Sequence, residues 1–419
     1  MPPRVVVAGA VGSIVEYFDF GVYGYVATIL ATKFFVDGDP TAALLATLAT
    51  FAVAFVLRPV GGILFGHFGD RYGRKTALAA TVGLMAVASG LIGILPTYAS
   101  IGVGATALLV LARCLQGIAA GGELGGAASF VAEHSPAGRR GFFCATTQTG
   151  ALAGALLASL TVASLNSTLG ETRMEDWGWR IPFLVAIPLG LVGLWIRTRL
   201  EDSPRFAAVE AHGEKVASPV VTLFREQRGA LALCTALSVL LFSSYYVAYL
   251  YVGIHLQTVV DTSSGFAFWS TTVTLAVSTV LMPAFGALSD RVGRRPVFLT
   301  ASVAGLVLPY PAFVLFDQGG AIAVITQIVL GLVASALMGV AFATYAELFT
   351  TSVRYTGIAL GFNLGAVLAG GTAPYICTWL VDTTGASSSP AFFLMATSLV
   401  TIAAALRLRE SAGTALRDA

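Results

Sequence analysis

Long apolar stretches separated by short polar, often basic, punctuation run along the whole chain. Apolar runs of about 20 residues are long enough to cross a bilayer as helices. By that measure, spans are predicted at 8–32, 43–66, 76–96, 101–130, 141–166, 181–200, 231–257, 266–288, 296–316, 321–346, 355–381 and 390–408. One long polar stretch, 197–229, rich in Arg, Glu, Asp and Pro, interrupts the series midway. The N-terminal MPPRVVVAGAVGS superficially resembles a signal peptide, but the apolar run continues through Glu16 and Asp19 past Tyr25. It therefore predicts an uncleaved first helix.

The punctuation repeats. GHFGDRYGRK, from Gly66 to Lys75, recurs as GALSDRVGRR, from Gly286 to Arg295, each between two apolar runs. Glu133 and Arg140 then recur as Glu347 and Arg354. Two charged marks in the same order predict one multi-helix unit duplicated in parallel. The expected organisation is a six-helix bundle over 1–200, a linker over 201–229 and a second six-helix bundle over 230–419.

Composition limits the function classes. At 56% hydrophobic and 11% charged over 419 residues, with a mean hydropathy of +0.82, the chain exposes too little polar surface for a water-soluble globule. It reads as an all-α polytopic membrane protein. The net charge of +2 matters less than where the cations sit. Arg4, Arg139, Arg140, the linker arginines, Arg291 to Arg295, Arg354 and the tail from Arg407 fall on the side of the 66–75 loop. Only Lys33, Arg173 and Arg180 fall on the other. That asymmetry predicts that both termini are cytoplasmic. Cys114, Cys144, Cys234 and Cys377 lie singly in apolar segments, and His67, His134, His212 and His255 are isolated. Disulfide and metal spacings are therefore not expected. Nor is a phosphate-binding G-x-x-x-x-G-K-[ST] loop found, so ATP-driven transport is not supported. No enzyme activity, cofactor, metal or nucleic-acid partner is expected.

Charges inside apolar spans are the candidate chemistry, because burying them is costly. Glu16, Asp19 and Tyr23 share one face of the first helix. Arg113, Gln116, Ala120 and Glu123 do the same on the fourth, and Arg58 lies about two turns before the end of the second span. An arginine beside Asp19 keeps a carboxylate ionised, and its withdrawal invites a proton. The same pair can instead be a static tie between helices, and Arg58 can snorkel to the interface. The expected assignment puts proton coupling on Asp19, Arg113, Glu16 and Glu123. Substrate binding falls to Arg58, Arg113, Tyr23 and Gln116. The second half has hardly any charge inside its spans. It offers Tyr245, Tyr246, Tyr249, Gln327, Tyr345 and Asn363, of which Tyr249 and Asn363 are put forward for recognition. Gly117, Gly121, Gly122, Gly125 and Gly126 give G-x-x-x-G spacings that read as helix packing.

In the duplicated loop, Gly66 and Gly73 are expected to permit a tight turn and Asp70 to face a helix N-terminus of the other half. Arg71, Arg74 and Lys75 are expected to reach Glu133. With Asp290, Arg291, Arg294 and Glu347 these residues form a candidate gate whose contacts exist only while one side is closed. The plainer alternative is a solvated basic turn that fixes topology.

The two G-x-x-x-D-R-x-G-R-[RK] loops flanking a central linker resemble the major facilitator superfamily of secondary transporters. EYFDFGVYGY (Glu16 to Tyr25), RPVGGILFGHFGDRYGRK (Arg58 to Lys75), RCLQGIAAGGELGGA (Arg113 to Ala127), WGWRIPF (Trp177 to Phe183), EDSPRF (Glu201 to Phe206) and ELFTTSVRYTG (Glu347 to Gly357) resemble its metabolite:proton symporters, the ketoglutarate, citrate, shikimate and proline/betaine carriers. The resemblance implies twelve helices in two six-helix bundles, alternating access and a monomer in a bacterial inner membrane. Protons and a small solute are the expected partners, with the lipid bilayer. In the related sugar-proton symporters an Asp and an Arg in the positions of Asp19 and Arg113 are tied to proton coupling. The expected function is proton symport of a small carboxylate-bearing metabolite, a di- or tricarboxylate or related organic acid. The alternatives are proton-coupled uptake of a zwitterionic osmolyte such as proline or a betaine, and export. The Gly-Pro motif that many exporters carry on helix five is absent from GALAGALLAS, 150–159.

Overall fold

With no water to bond backbone groups in a bilayer core, apolar runs satisfy their own peptides by coiling. The computed structural model accordingly has no strand among the described residues, which are 3–35, 38–72, 74–121, 131–199, 219–351 and 353–416. The first half contributes α1 (Pro3–Tyr25), α2 (Ala27–Phe34), α3 (Pro40–Tyr72), α4 (Arg74–Ile94), α5 (Val103–Gly121), α6 (Arg140–Leu169) and α7 (Arg180–Arg199). The second contributes α8 (Arg228–Tyr246), running through a π-helical turn at Val247–Tyr251 into α9 (Val252–Thr258), then α10 (Ser264–Val292) and α11 (Arg294–Val307). It ends with α12 (Pro309–Phe316), α13 (Gly320–Leu348), α14 (Arg354–Ala369), α15 (Ala373–Thr384) and α16 (Pro390–Arg407). Among the described residues, eight helical stretches are long and apolar enough to cross a membrane, or eleven if each of three bent pairs is one span. Ala79–Ile94 within α4 is a shorter apolar helix in the position of the predicted 76–96 span.

One bend has a clear local cause. Pro309 opens α12 and gives no amide to the preceding turn, and α11 and α12 meet at 45°. The first predicted span is broken at Val26 into α1 and α2, 62° apart. Most of the predicted linker lies outside the described residues; its described end carries a short helix, Pro219–Glu226.

The two halves meet along two seams. α6 packs on α10 and α13, and α3 packs on α14 and α15. Within the first half α3 and α5 touch backbone to backbone: a Cβ at Gly117 would strike Ala54, and one at Gly121 would strike the Arg58 carbonyl. These two glycines pack helices, as their spacing predicts. Gly122, Gly125 and Gly126 lie outside the described residues.

One expectation is corrected. Gly66 is not part of a turn, because α3 continues to Tyr72. Its counterpart Gly286 is likewise inside α10, where it lies against Gly141 and Ala145 of α6. The turn in the second copy is made at Gly293, whose φ of 104° favours glycine. Gly73, the equivalent residue in the first copy, is outside the described residues.

Candidate functional site

Between the bundles, α1, α3, α4 and α5 bury a charged cluster. Glu16, Asp19, Arg58, Arg113 and Gln116 are each at most 2% exposed. Arg58 Nη2 pairs with Glu16 Oε1 at 3.1 Å, and its guanidinium lies over the rings of Phe20 and Phe55, 4.4 and 4.6 Å from their centroids. It is therefore an interior ion pair, not a snorkelling interfacial residue. Arg113 lies over Tyr23 at 4.3 Å and beside Phe20 and Phe51.

The expected direct contact between Arg113 and Asp19 is not formed. Arg113 Nη1 donates to Gln116 Oε1 at 2.7 Å, and Gln116 Nε2 donates to Asp19 Oδ2 at 2.7 Å. Gln116 stands between cation and carboxylate because it is one helical turn from Arg113 on the same face. Ser89, on α4, completes the set by donating to the other oxygen of Asp19. Tyr23 donates its hydroxyl to the Thr47 carbonyl at 3.1 Å and stacks on Phe51. Glu123 lies outside the described residues.

The second half faces this cluster with aromatic rings. Tyr246 packs edge-on to Phe51 and Phe55, and Tyr245 packs on Tyr17. The two tyrosines end α8 immediately before its π turn, a feature frequent at functional sites. Tyr249 gives its hydroxyl to the Gly331 carbonyl at 2.6 Å, so its polar end is used within its own bundle. Gln327 is bound to Ala248, Ser270 and Thr271, and Tyr345 to Ser238. Asn363 donates to Ala359, while its buried Oδ1 has no hydrogen-bond partner among the described residues.

On the face carrying the duplicated loops (the basic face), the repeated marks pair crosswise. Arg140 of the first half binds Glu347 of the second at 2.7 Å, and Arg354 of the second binds Glu133 of the first at 2.9 Å. Asp290 accepts from the amides of Gly141 and Phe142 at the N-terminus of α6, at 2.8 and 2.9 Å. A carboxylate there bonds amides that α6 leaves unpaired and meets the positive end of its dipole. Arg294 ties Asp290 to Glu347 within the second half. Arg291 is exposed and does not join this network. Arg71 is exposed as well. The side chains of Asp70, Arg74 and Lys75 are outside the described residues. The opposite face is bridged by weaker groups: Thr28 to Gln257, Ser159 to Thr272, and Trp269 to Ser167.

A strap follows α16. Glu410 accepts the amides of Arg294 and Arg295, Ser411 donates to Glu347 at 2.6 Å, and the Thr414 carbonyl accepts from Arg140. Partial burial alone would push the Glu410 carboxyl up, but backbone amides of Arg294, Ala412, Arg295 and Ser411 outweigh it and hold it below the usual range. A depressed carboxyl stabilises above its unfolded pKa and loses that effect only as pH falls through the folded value. The strap thus persists at neutral pH.

Sequence reasoning missed Ser89, one serine among many in apolar helices. It also left Arg140 unassigned, although the repeat pairs it with Arg354. Phe51, Phe55 and Arg58 at i, i+4 and i+7 share one face of α3, a signal that could have found the aromatic walls.

The comparisons agree with this architecture. The family described as "Sugar (and other) transporter" matches residues 5–222 and again 212–419. The chain belongs to that transporter family. Among its relatives, the proline/betaine transporter of Escherichia coli K12 is 36% identical, with 99% of this chain and 85% of that one aligned. The ectoine/proline transporter ProP of Corynebacterium glutamicum is 37% identical, over 96% and 82%. The fold is that of the major facilitator superfamily proton:xylose symporter XylE, with a TM-score of 0.78, 19% identity, and 99% and 97% coverage. As a member of the sugar (and other) transporter family, the chain is a multi-pass membrane transporter of small molecules and not an enzyme.

Proposed function

We propose that this transporter takes up a zwitterionic osmolyte, of the proline or betaine kind, together with protons by alternating access. The carrying observation is the charge balance of the buried cluster. Arg58 is paired with Glu16, and Arg113 is linked through Gln116 to Asp19, so the described charges cancel. A di- or tricarboxylate needs surplus positive charge, whereas a zwitterion suits a neutral site. The Nε donors of Arg58 and Arg113 have no hydrogen-bond partner among the described residues, which leaves donor capacity for one carboxylate. The surrounding ring faces of Phe20, Tyr23, Phe51, Phe55 and Tyr246 suit an ammonium group. The names of the relatives favour the same substrate class over the organic acids that the sequence put first.

The crosswise ion pairs supply the gate in this reading, closing the basic face while the solute is enclosed. By the excess of Arg on it, that face is cytoplasmic and both termini lie on it; the bacterial source of the relatives favours a bacterial inner membrane as the bilayer. Asp19 carries the coupling proton, and the working unit is a monomer.

Uptake into proteoliposomes under an imposed inward proton gradient tests the proposal, comparing labelled proline and glycine betaine with 2-oxoglutarate, citrate and shikimate. The expected result is accumulation of the zwitterions that collapses with an uncoupler. Accumulation of an acid alone would replace the substrate class. Efflux without uptake would favour an exporter.

A further inference from the structure

The hydrogen-bond roles around Asp19 are dictated by chemistry. Arg113 has no acceptor, so the group facing its Nη1 must be the Gln116 carbonyl oxygen. The amide nitrogen of Gln116 therefore faces Asp19 Oδ2, at 2.7 Å, and Ser89 Oγ, at 2.8 Å. Gln116 has one orientation available. Ser89 has two, because its single hydroxyl proton has two acceptors within reach: Asp19 Oδ1 and the Met85 carbonyl at 2.9 Å.

When Asp19 is ionised, the Ser89 hydroxyl donates to the carboxylate. When a proton sits on Oδ1, the carboxyl donates to Ser89 Oγ, and the hydroxyl turns to Met85. Ser89 keeps its own proton throughout; the transported proton arrives on Oδ1 and leaves from it. Both states are fully bonded, which matters because a buried polar group left unpaired is costly. We propose that Ser89 is the positioning residue of proton coupling, a hydroxyl rotor that satisfies Asp19 in either protonation state. The inference rests on the proton-symport reading above. Among the described residues, the charged group that acts on Asp19 is Arg113 from α5, which also lies over Tyr23 of α1; Arg58 from α3 is paired with Glu16 of α1, and no charged side chain of α4, α6 or α7 acts on Asp19.

The test compares wild type, Ser89→Ala, Ser89→Thr and Ser89→Cys in proteoliposomes. Labelled proline accumulation under a proton gradient and proline exchange without one are both measured across pH. Ser89→Ala is expected to keep exchange within about twofold and to lose accumulation about tenfold, the size of one lost charge-assisted bond. Its pH profile moves upward by roughly one unit, because the ionised carboxylate loses the stronger bond. Ser89→Thr, which keeps a hydroxyl, restores both. If the alanine variant does not fold, Ser89→Cys, similar in size with only a weak S–H donor, makes the same comparison. Wild-type-like accumulation and pH profile in Ser89→Ala or Ser89→Cys overturns the rotor alone. Loss of exchange in step with accumulation, in the threonine variant too, also overturns it. A wild type that exchanges proline but never accumulates it overturns the symport reading, and the rotor with it.

Discussion

Asp19 shows how far a single residue can be read. A carboxylate in an apolar run marks itself, and so does Arg113, because neither sits in a bilayer without cause. Their relationship was not legible, since a helical face puts both Arg113 and Gln116 toward α1 and only side-chain reach decides which touches Asp19. The observed arrangement makes a sharp prediction. Asparagine at position 19 can turn its Oδ1 to Gln116 Nε2 and its amide to Ser89, reproducing the hydrogen bonds of a protonated aspartate. Asp19→Asn should therefore fold and exchange substrate at close to the wild-type rate, while gradient-driven accumulation falls to background. Unchanged accumulation would remove Asp19 from coupling. Tyr249 and Gln327 show the opposite limit, because their polar ends are used on neighbouring helices of their own bundle. No pattern within one helix reveals a partner on another.

Helices were legible as apolar runs, and their duplication as repeated charge. What the elements do at their contacts was less so. A glycine at the head of a basic motif reads as a turn, yet Gly286 lies inside α10 where it meets α6. A Cβ there would come within 2.5 Å of the Gly141 carbonyl oxygen and of the Ala145 methyl. The clash is with backbone, which cannot rotate away. Gly286→Ala should cost about 1–3 kcal/mol of seam packing and hold the two bundles apart on the basic face. Spin-label distances between basic-face positions on α6 and α10 should lengthen, and turnover should fall more than substrate binding. An equal loss of both would mean general misfolding.

At the scale of the molecule, the two halves exchange partners. Glu133 and Arg140 of one bind Arg354 and Glu347 of the other, so the duplicated marks pair reciprocally across the halves, as the proposed lock requires. Glu133 is the more exposed acid of the two, with its side chain 20% accessible against 2% for Glu347, and Arg354 keeps backbone bonds to Ala346 and Phe349 without it. Glu133→Ala should therefore weaken the lock without unfolding the bundle, raising the open population about tenfold if one charge-assisted bond is lost. Cys144, buried one turn into α6, reports this: with the other cysteines replaced, its maleimide labelling should accelerate by a similar factor. Unchanged labelling would make the pair topological only. The sequence by itself determined the membrane class, the helical spans, the duplication and the residues that carry buried charge. Each follows from local composition, because a bilayer admits only long apolar helices and tolerates few ions. Tertiary structure alone decided that Gln116 and Ser89 hold Asp19, that the repeated ion pairs cross between halves, and that the described charges of the buried cluster balance. Those facts depend on distances between helices far apart in the chain, which no local pattern encodes.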